Sequence, residues 1–94
     1  MKTIHKYRLS GQNINEIIMP LNSQILTLQM QNEVPHIWVI VDPKELPSIR
    51  MIRTFMTGRN IPGYYNGMYV GTYQLYEEKI VKHVFDEGYK RVVK

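Results

Sequence analysis

The segment Val34-Pro35-His36-Ile37-Trp38-Val39-Ile40-Val41 decides the fold. It is dense in β-branched and aromatic residues, and from Ile37 to Val41 both faces are apolar, as in a strand covered on two sides. It therefore reads as a central strand. Pro35 has no N–H to offer a ladder, so pairing is expected to begin after it. Just upstream, Ile25 to Gln31 alternates, with Leu26, Leu28 and Met30 on one face and Ile25, Thr27, Gln29 and Gln31 on the other. The two segments predict a hairpin turning across Gln31 to Glu33.

Further out, Asp42-Pro43 ends the central strand, and Pro43 to Pro47 is a surface connection with room for a single helical turn. Ile49 to Thr57 alternates Arg50-Ile52-Thr54-Met56 against Met51-Arg53-Phe55, which sends Arg50 and Arg53 to opposite faces. Gly58 to Gly67 is the longest loop. Tyr69 to Tyr76 and Lys79 to Asp86 predict a second hairpin about Glu77-Glu78, while Thr3 to Leu9 and Ile14 to Met19 predict a shorter one about Ser10 to Asn13. Apolar spacing at i, i+3, i+4 and i+7 is nowhere sustained long enough for an amphipathic helix. The expectation is an all-β, mainly antiparallel fold with at most a short helical turn. It is a small meander curled into a barrel or a two-layer sandwich, a single domain over 1–94 with a solvated basic end at 88–94.

Composition narrows the chemistry. The absence of cysteine removes disulfides, thiolate nucleophiles and cysteine-based zinc sites together. The start, Met1-Lys2-Thr3-Ile4-His5-Lys6, is followed by no apolar run, and no segment reaches membrane-spanning length, so a cytoplasmic location without a membrane partner is expected. His5, His36 and His83 stand far apart with no HExxH spacing, and neither a metal nor a cofactor is expected. Ser10, Ser23 and Ser48 lack a nucleophile elbow. Asp42, Glu45, Glu77, Glu78, Asp86 and Glu87 mostly occupy predicted turns, where solvation is the default. No catalytic residue is assigned, and His83, inside a strand, reads as a hydrogen-bonded structural histidine. A net charge of +4 gives a mild attraction for polyanions.

One loop does carry suggestive chemistry. Thr57-Gly58-Arg59-Asn60-Ile61-Pro62-Gly63 combines glycine amides, a hydroxyl and a guanidinium, the ingredients of an anion cradle, although it matches neither a P-loop nor GxGxxG. A glycine-punctuated turn would use the same residues. If a nucleotide-like ligand binds, Arg50, Arg53 and Arg59 would hold phosphate beside Thr57 and Gly58, while Trp38, Tyr64 or Tyr65 stacks on the base.

The ordered motifs Ile37-Trp38-Val39-Ile40-Val41-Asp42-Pro43, Arg53-Thr54-Phe55 with Thr57-Gly58, Ile61-Pro62, Tyr69-Val70-Gly71-Thr72-Tyr73-Gln74-Leu75 and His83-Val84-Phe85 resemble a family of short phage and prophage proteins of uncharacterised function. The resemblance runs from about Lys2 to Gly88. It implies a viral context and no catalytic residues. The leading expectation is then a non-enzymatic accessory phage protein that binds a host protein or a small nucleotide-like ligand, countering host antiviral defence. A nucleic-acid-binding small β-barrel is the second reading. The third is a virion component, a homo-oligomer assembled through exposed strand edges.

Overall fold

The computed structural model describes residues 1–77 and 79–93. Among the described residues there are seven strands and no helix: β1 (Thr3–Arg8), β2 (Ile14–Pro20), β3 (Gln24–Gln31), β4 (Val34–Val41), β5 (Pro47–Met56), β6 (Met68–Leu75) and β7 (Ile80–Val92). They form two antiparallel sheets, β1-β4-β3 and β2-β5-β7-β6, packed face to face as a sandwich rather than closed into a barrel. β4 is central in its sheet, and its inner residues Ile37, Val39 and Val41 are buried. Leu9, Met19, Ile52, Tyr73 and Val84 meet them from the other strands.

The topology is not a simple meander. β1 and β2 do not form the expected hairpin: β1 pairs with β4 (Lys6 opposite Trp38) and β2 with β5 (Ile17 opposite Arg50). The chain crosses between sheets here because Leu9 turns into the core, its N–H donating to the Pro35 carbonyl at 2.9 Å. Pairing on the β3 side starts at Val34, opposite Gln31, two residues earlier than Pro35 suggested. The connection after Asp42 is a turn closed by the Glu45 N–H on the Asp42 carbonyl, without a helical turn. The sequence puts a solvated end at 88–94, but β7 runs on to Val92, pairing Val92 with Ser48, so Lys90 and Arg91 stand in a strand; Lys94 and Glu78 lie outside the described residues.

Bulges explain why simple alternation misplaced several side chains. The β3–β4 register shifts between Ile25 and Thr27, the β6–β7 register between Tyr69 and Gly71, and the β5–β7 register at Ile49/Arg50 and Met51/Ile52. Each bulge inserts one residue and resets the facing. Ile25, not Leu26, therefore points inward with Leu28 and Met30, Val70 joins Tyr73 and Leu75, and Tyr89 follows Asp86 on the inner side. Leu26 is left exposed.

The β3–β4 hairpin turns through Asn32 (φ 51°) and Glu33 (φ 64°), the two positive-φ positions of a type I′ turn. Asparagine tolerates that conformation, whereas glutamate carries a Cβ penalty there. Glu33→Gly is expected to raise stability by about 0.5–1 kcal/mol in denaturant unfolding, with an unchanged slope.

Candidate functional site

Arg50 and Arg53 do emerge from opposite faces of β5, and this separates their roles. Arg50 points into the sandwich and is almost fully buried. Its Nε and Nη2 donate to the two Asp86 carboxylate oxygens at 2.8 and 2.5 Å, its Nη1 donates to the Ser23 carbonyl at 2.9 Å, and its Cζ lies 4.5 Å from the Tyr89 ring centroid. Tyr89 extends the network: its hydroxyl donates to the Pro20 carbonyl at 3.0 Å and accepts the Ser23 N–H at 2.7 Å. Burial pushes the Asp86 carboxyl up. The hydrogen bonds from Arg50 and from the Gly88 N–H, with the guanidinium charge, outweigh this and hold it below its usual value. A guanidinium committed in this way is a structural group, so Arg50 belongs to the interior and not to an exposed binding face.

Arg53 projects outward, where its Nε donates to Glu87 at 2.7 Å. Beside this pair lies an edge-to-face aromatic cluster: Phe55, Tyr65 and Phe85 have mutual centroid distances of 5.1, 5.8 and 5.6 Å, and Tyr69 joins at 5.7 Å from Phe85. Tyr65 comes from the loop after β5 and its ring lies so close over Gly67 that a Cβ there would collide with it. Burial pushes the Tyr65 phenol well above its usual value, and the nearby Glu87 adds to this, yet its buried hydroxyl makes no hydrogen bond among the described residues. Next to the cluster runs a polar chain: the Tyr69 hydroxyl, Thr72 Oγ1, His83 Nδ1, and on from His83 Nε2 to Thr57 Oγ1, with steps of 2.6, 3.0 and 2.7 Å.

Two adjoining hollows flank Arg53 and Phe55. One, of about 380 Å³, is lined by Asn13, Arg53, Thr54, Phe55, Met56 and Arg59; the other, of about 280 Å³, by Arg53, Phe55, Pro62, Tyr64, Tyr65 and Glu87. The first opens where β2 begins: the Thr54 N–H donates to the Asn13 carbonyl, and β5 continues beyond its partner. Arg59 is exposed and forms no ion pair among the described residues, and Tyr64 is 89% exposed.

Of the residues singled out by sequence, Arg53, Thr57, Gly58, Arg59, Tyr64 and Tyr65 share this outer face or the loop that borders it. Trp38 does not: it lies half-buried on the outer side of the other sheet, its ring 6.0 Å from His36. Two of the loop amides are already committed, the Thr57 N–H donating to the Val81 carbonyl and the Arg59 N–H to the Met56 carbonyl. Gly58 serves its φ of 90°. Sequence reasoning missed Asn13, Phe55 and Glu87, and it ended the last strand at Asp86 with solvation as the default for its carboxylates; Asp86 and Glu87 stand within β7, facing Arg50 and Arg53.

The family described as "Domain of unknown function (DUF7352)" matches residues 1–93. No curated protein matches the chain, and no solved structure matches it.

Asp86→Asn, which leaves the Arg50 charge buried without its partner, is expected to cost about 3–5 kcal/mol in denaturant unfolding. Because the Asp86 value is depressed in the folded state, its contribution is present at neutral pH and lost as pH falls below about 4, so the wild type should lose stability there more steeply than the variant. Tyr65→Phe removes a buried hydroxyl without a partner and should leave thermal stability unchanged or raise it by about 1 kcal/mol.

Proposed function

We propose that this chain, which belongs to the family described as a domain of unknown function, DUF7352, is a binding protein rather than an enzyme, and that its outer groove on β5 takes a small nucleotide-like anion. One observation carries the reading: Arg53 and Phe55 line two adjoining hollows, one completed by the unpaired Arg59 and the other by the exposed ring of Tyr64. A guanidinium beside an aromatic face suits a ligand with a phosphate at one end and a flat base at the other. The combined size lies within the range of small-molecule sites. Arg53 is partly neutralised by Glu87, so Arg59 supplies the larger share of attraction for an anion. Thr57, tied through His83 to Thr72 and Tyr69, borders the groove.

In a phage setting, such a protein would act in the host cytoplasm as an accessory factor that sequesters a nucleotide-like signal of antiviral defence. Each hollow is small and none forms a continuous basic track, which favours a compact anion over a nucleic-acid strand.

The test is calorimetric titration with adenosine and guanosine mono- and triphosphates and cyclic mono- and dinucleotides, at low and high salt. At least one should bind, more weakly at high salt. Arg59→Ala should lower its affinity about tenfold, equivalent to about 1.4 kcal/mol, with an unchanged melting temperature, and Tyr64→Ala should act in the same direction. Binding unaffected by Arg59→Ala, or no binding by any of these nucleotides, refutes the reading.

A further inference from the structure

The sandwich has four free strand edges, and they are not alike. β1 carries Lys6 and Arg8, and β2 carries Glu16 and Pro20, the charges and proline with which exposed edges commonly discourage pairing. β3 (QILTLQMQ) and β6 (MYVGTYQL) carry no charged residue and no proline. β3 pairs only with β4 and β6 only with β7, so each keeps one edge of backbone N–H and C=O groups outside any ladder.

These two uncharged edges lie on the same side of the molecule. They run in the same direction and touch where Leu28 packs over Gly71, a Cβ at Gly71 coming within 3.0 Å of the Leu28 Cβ. They are not hydrogen-bonded to each other. On either side of that contact the seam opens. Residues 23–26 face 68–70 over a hollow of about 370 Å³, residues 28–30 face 72–74 over about 610 Å³, and Met30 and Glu33 face 74–77 over about 380 Å³. The bulges of both strands fall at the first hollow and leave Leu26, Met68 and Tyr69 exposed on its rim, at 43, 73 and 61%. Among the described residues the charges lining the seam are the mutually satisfied Arg50–Asp86 pair at its floor and Glu33 and Glu77 at the hairpin tips. Mutual cover at one contact would protect these edges only in the middle.

We propose that the β3–β6 seam is a strand-docking surface that takes an extended, uncharged peptide segment of a partner protein, paired through its backbone with the free edge of β6. The row of backbone groups fixes the class of occupant, because only another extended chain meets alternating N–H and C=O donors and acceptors in register. The lack of charge along both edges fixes its composition, since a charged side chain would be desolvated there without a partner. Alternate side chains of the docked strand would fill the hollows over Leu28 to Met30 and over Ile25 and Val70. This surface is separate from the outer groove and its test does not depend on nucleotide binding.

The probe is a displayed library of eight-residue random peptides, selected on the whole protein, with the winners synthesised plain and with alternate residues N-methylated. Selected peptides should be poor in Asp, Glu, Lys and Arg, and should shift backbone amide resonances of residues 24–31 and 68–75. N-methylation on the pairing edge should weaken them more than tenfold, and the exposed-site variants Gln29→Lys and Gln74→Lys should do so as well while leaving the melting temperature unchanged. The proposal fails if no peptide is enriched, if the winners are charged, if N-methylated peptides bind equally well or if the shifts map elsewhere. It also fails if sedimentation shows the protein alone dimerising through this seam, which would make a second copy the occupant.

Discussion

A guanidinium buried between two sheets must be surrounded by acceptors, and the arrangement around Arg50 depends on meeting that demand. Its Nε and Nη2 donate to the Asp86 carboxylate from β7 and its Nη1 to the Ser23 carbonyl from the turn between β2 and β3, and Tyr89 stacks against it while binding Pro20 and Ser23 in turn. One side chain thus ties β5, β7 and the sheet-to-sheet crossover together. A fork of this kind tolerates little displacement, so it specifies the relative position of its three anchors more sharply than apolar contact does.

The bulges gather about the same point. Those of β3 and β6 lie beside the hollow whose floor is Arg50 and Asp86, and those of the β5–β7 ladder flank Arg50 itself. Gly88, at φ 86°, supplies the left-handed residue that lets Asp86 and Tyr89 both turn inward, and its N–H completes the carboxylate's bonding. The same bulges splay β3 from β6 at that end. The device that accommodates a buried charge therefore also shapes the open end of the seam.

β5 connects interior and surface. Its inward side presents Arg50, Ile52 and Thr54, and its outward side Arg53 and Phe55. Each arginine faces an acid from consecutive positions of β7, Asp86 and Glu87. The inner pair is shielded and fixed. The outer pair is only partly covered and lies next to a cluster of rings with a loop folded over it, where Gly67 lets the Tyr65 ring rest against backbone.

The segment Val34 to Val41 marked by itself a strand at the centre of a sheet, because its β-branched and aromatic residues favour extended backbone, although the sandwich buries only its inner face. Alternation along Ile49 to Thr57 likewise determined that the two arginines diverge. The sequence could not say which face was inside, since a period of two is symmetric until something covers one side. The β3–β4 and β6–β7 hairpins were legible in the sequence, whereas the partners of β1, β2 and β5 were decided by the tertiary structure. The crossing of β1 and β2 to different sheets depends on where Leu9 finds a core, and the bulges, one residue out of period, are invisible to any alternating pattern. For the same reason Trp38, chemically suited to a stacking site, stands on the far sheet, while Asn13 and Glu87, without a local signal, stand at the groove. Residue type limits what a side chain can do, but only packing between distant strands decides what it stands beside.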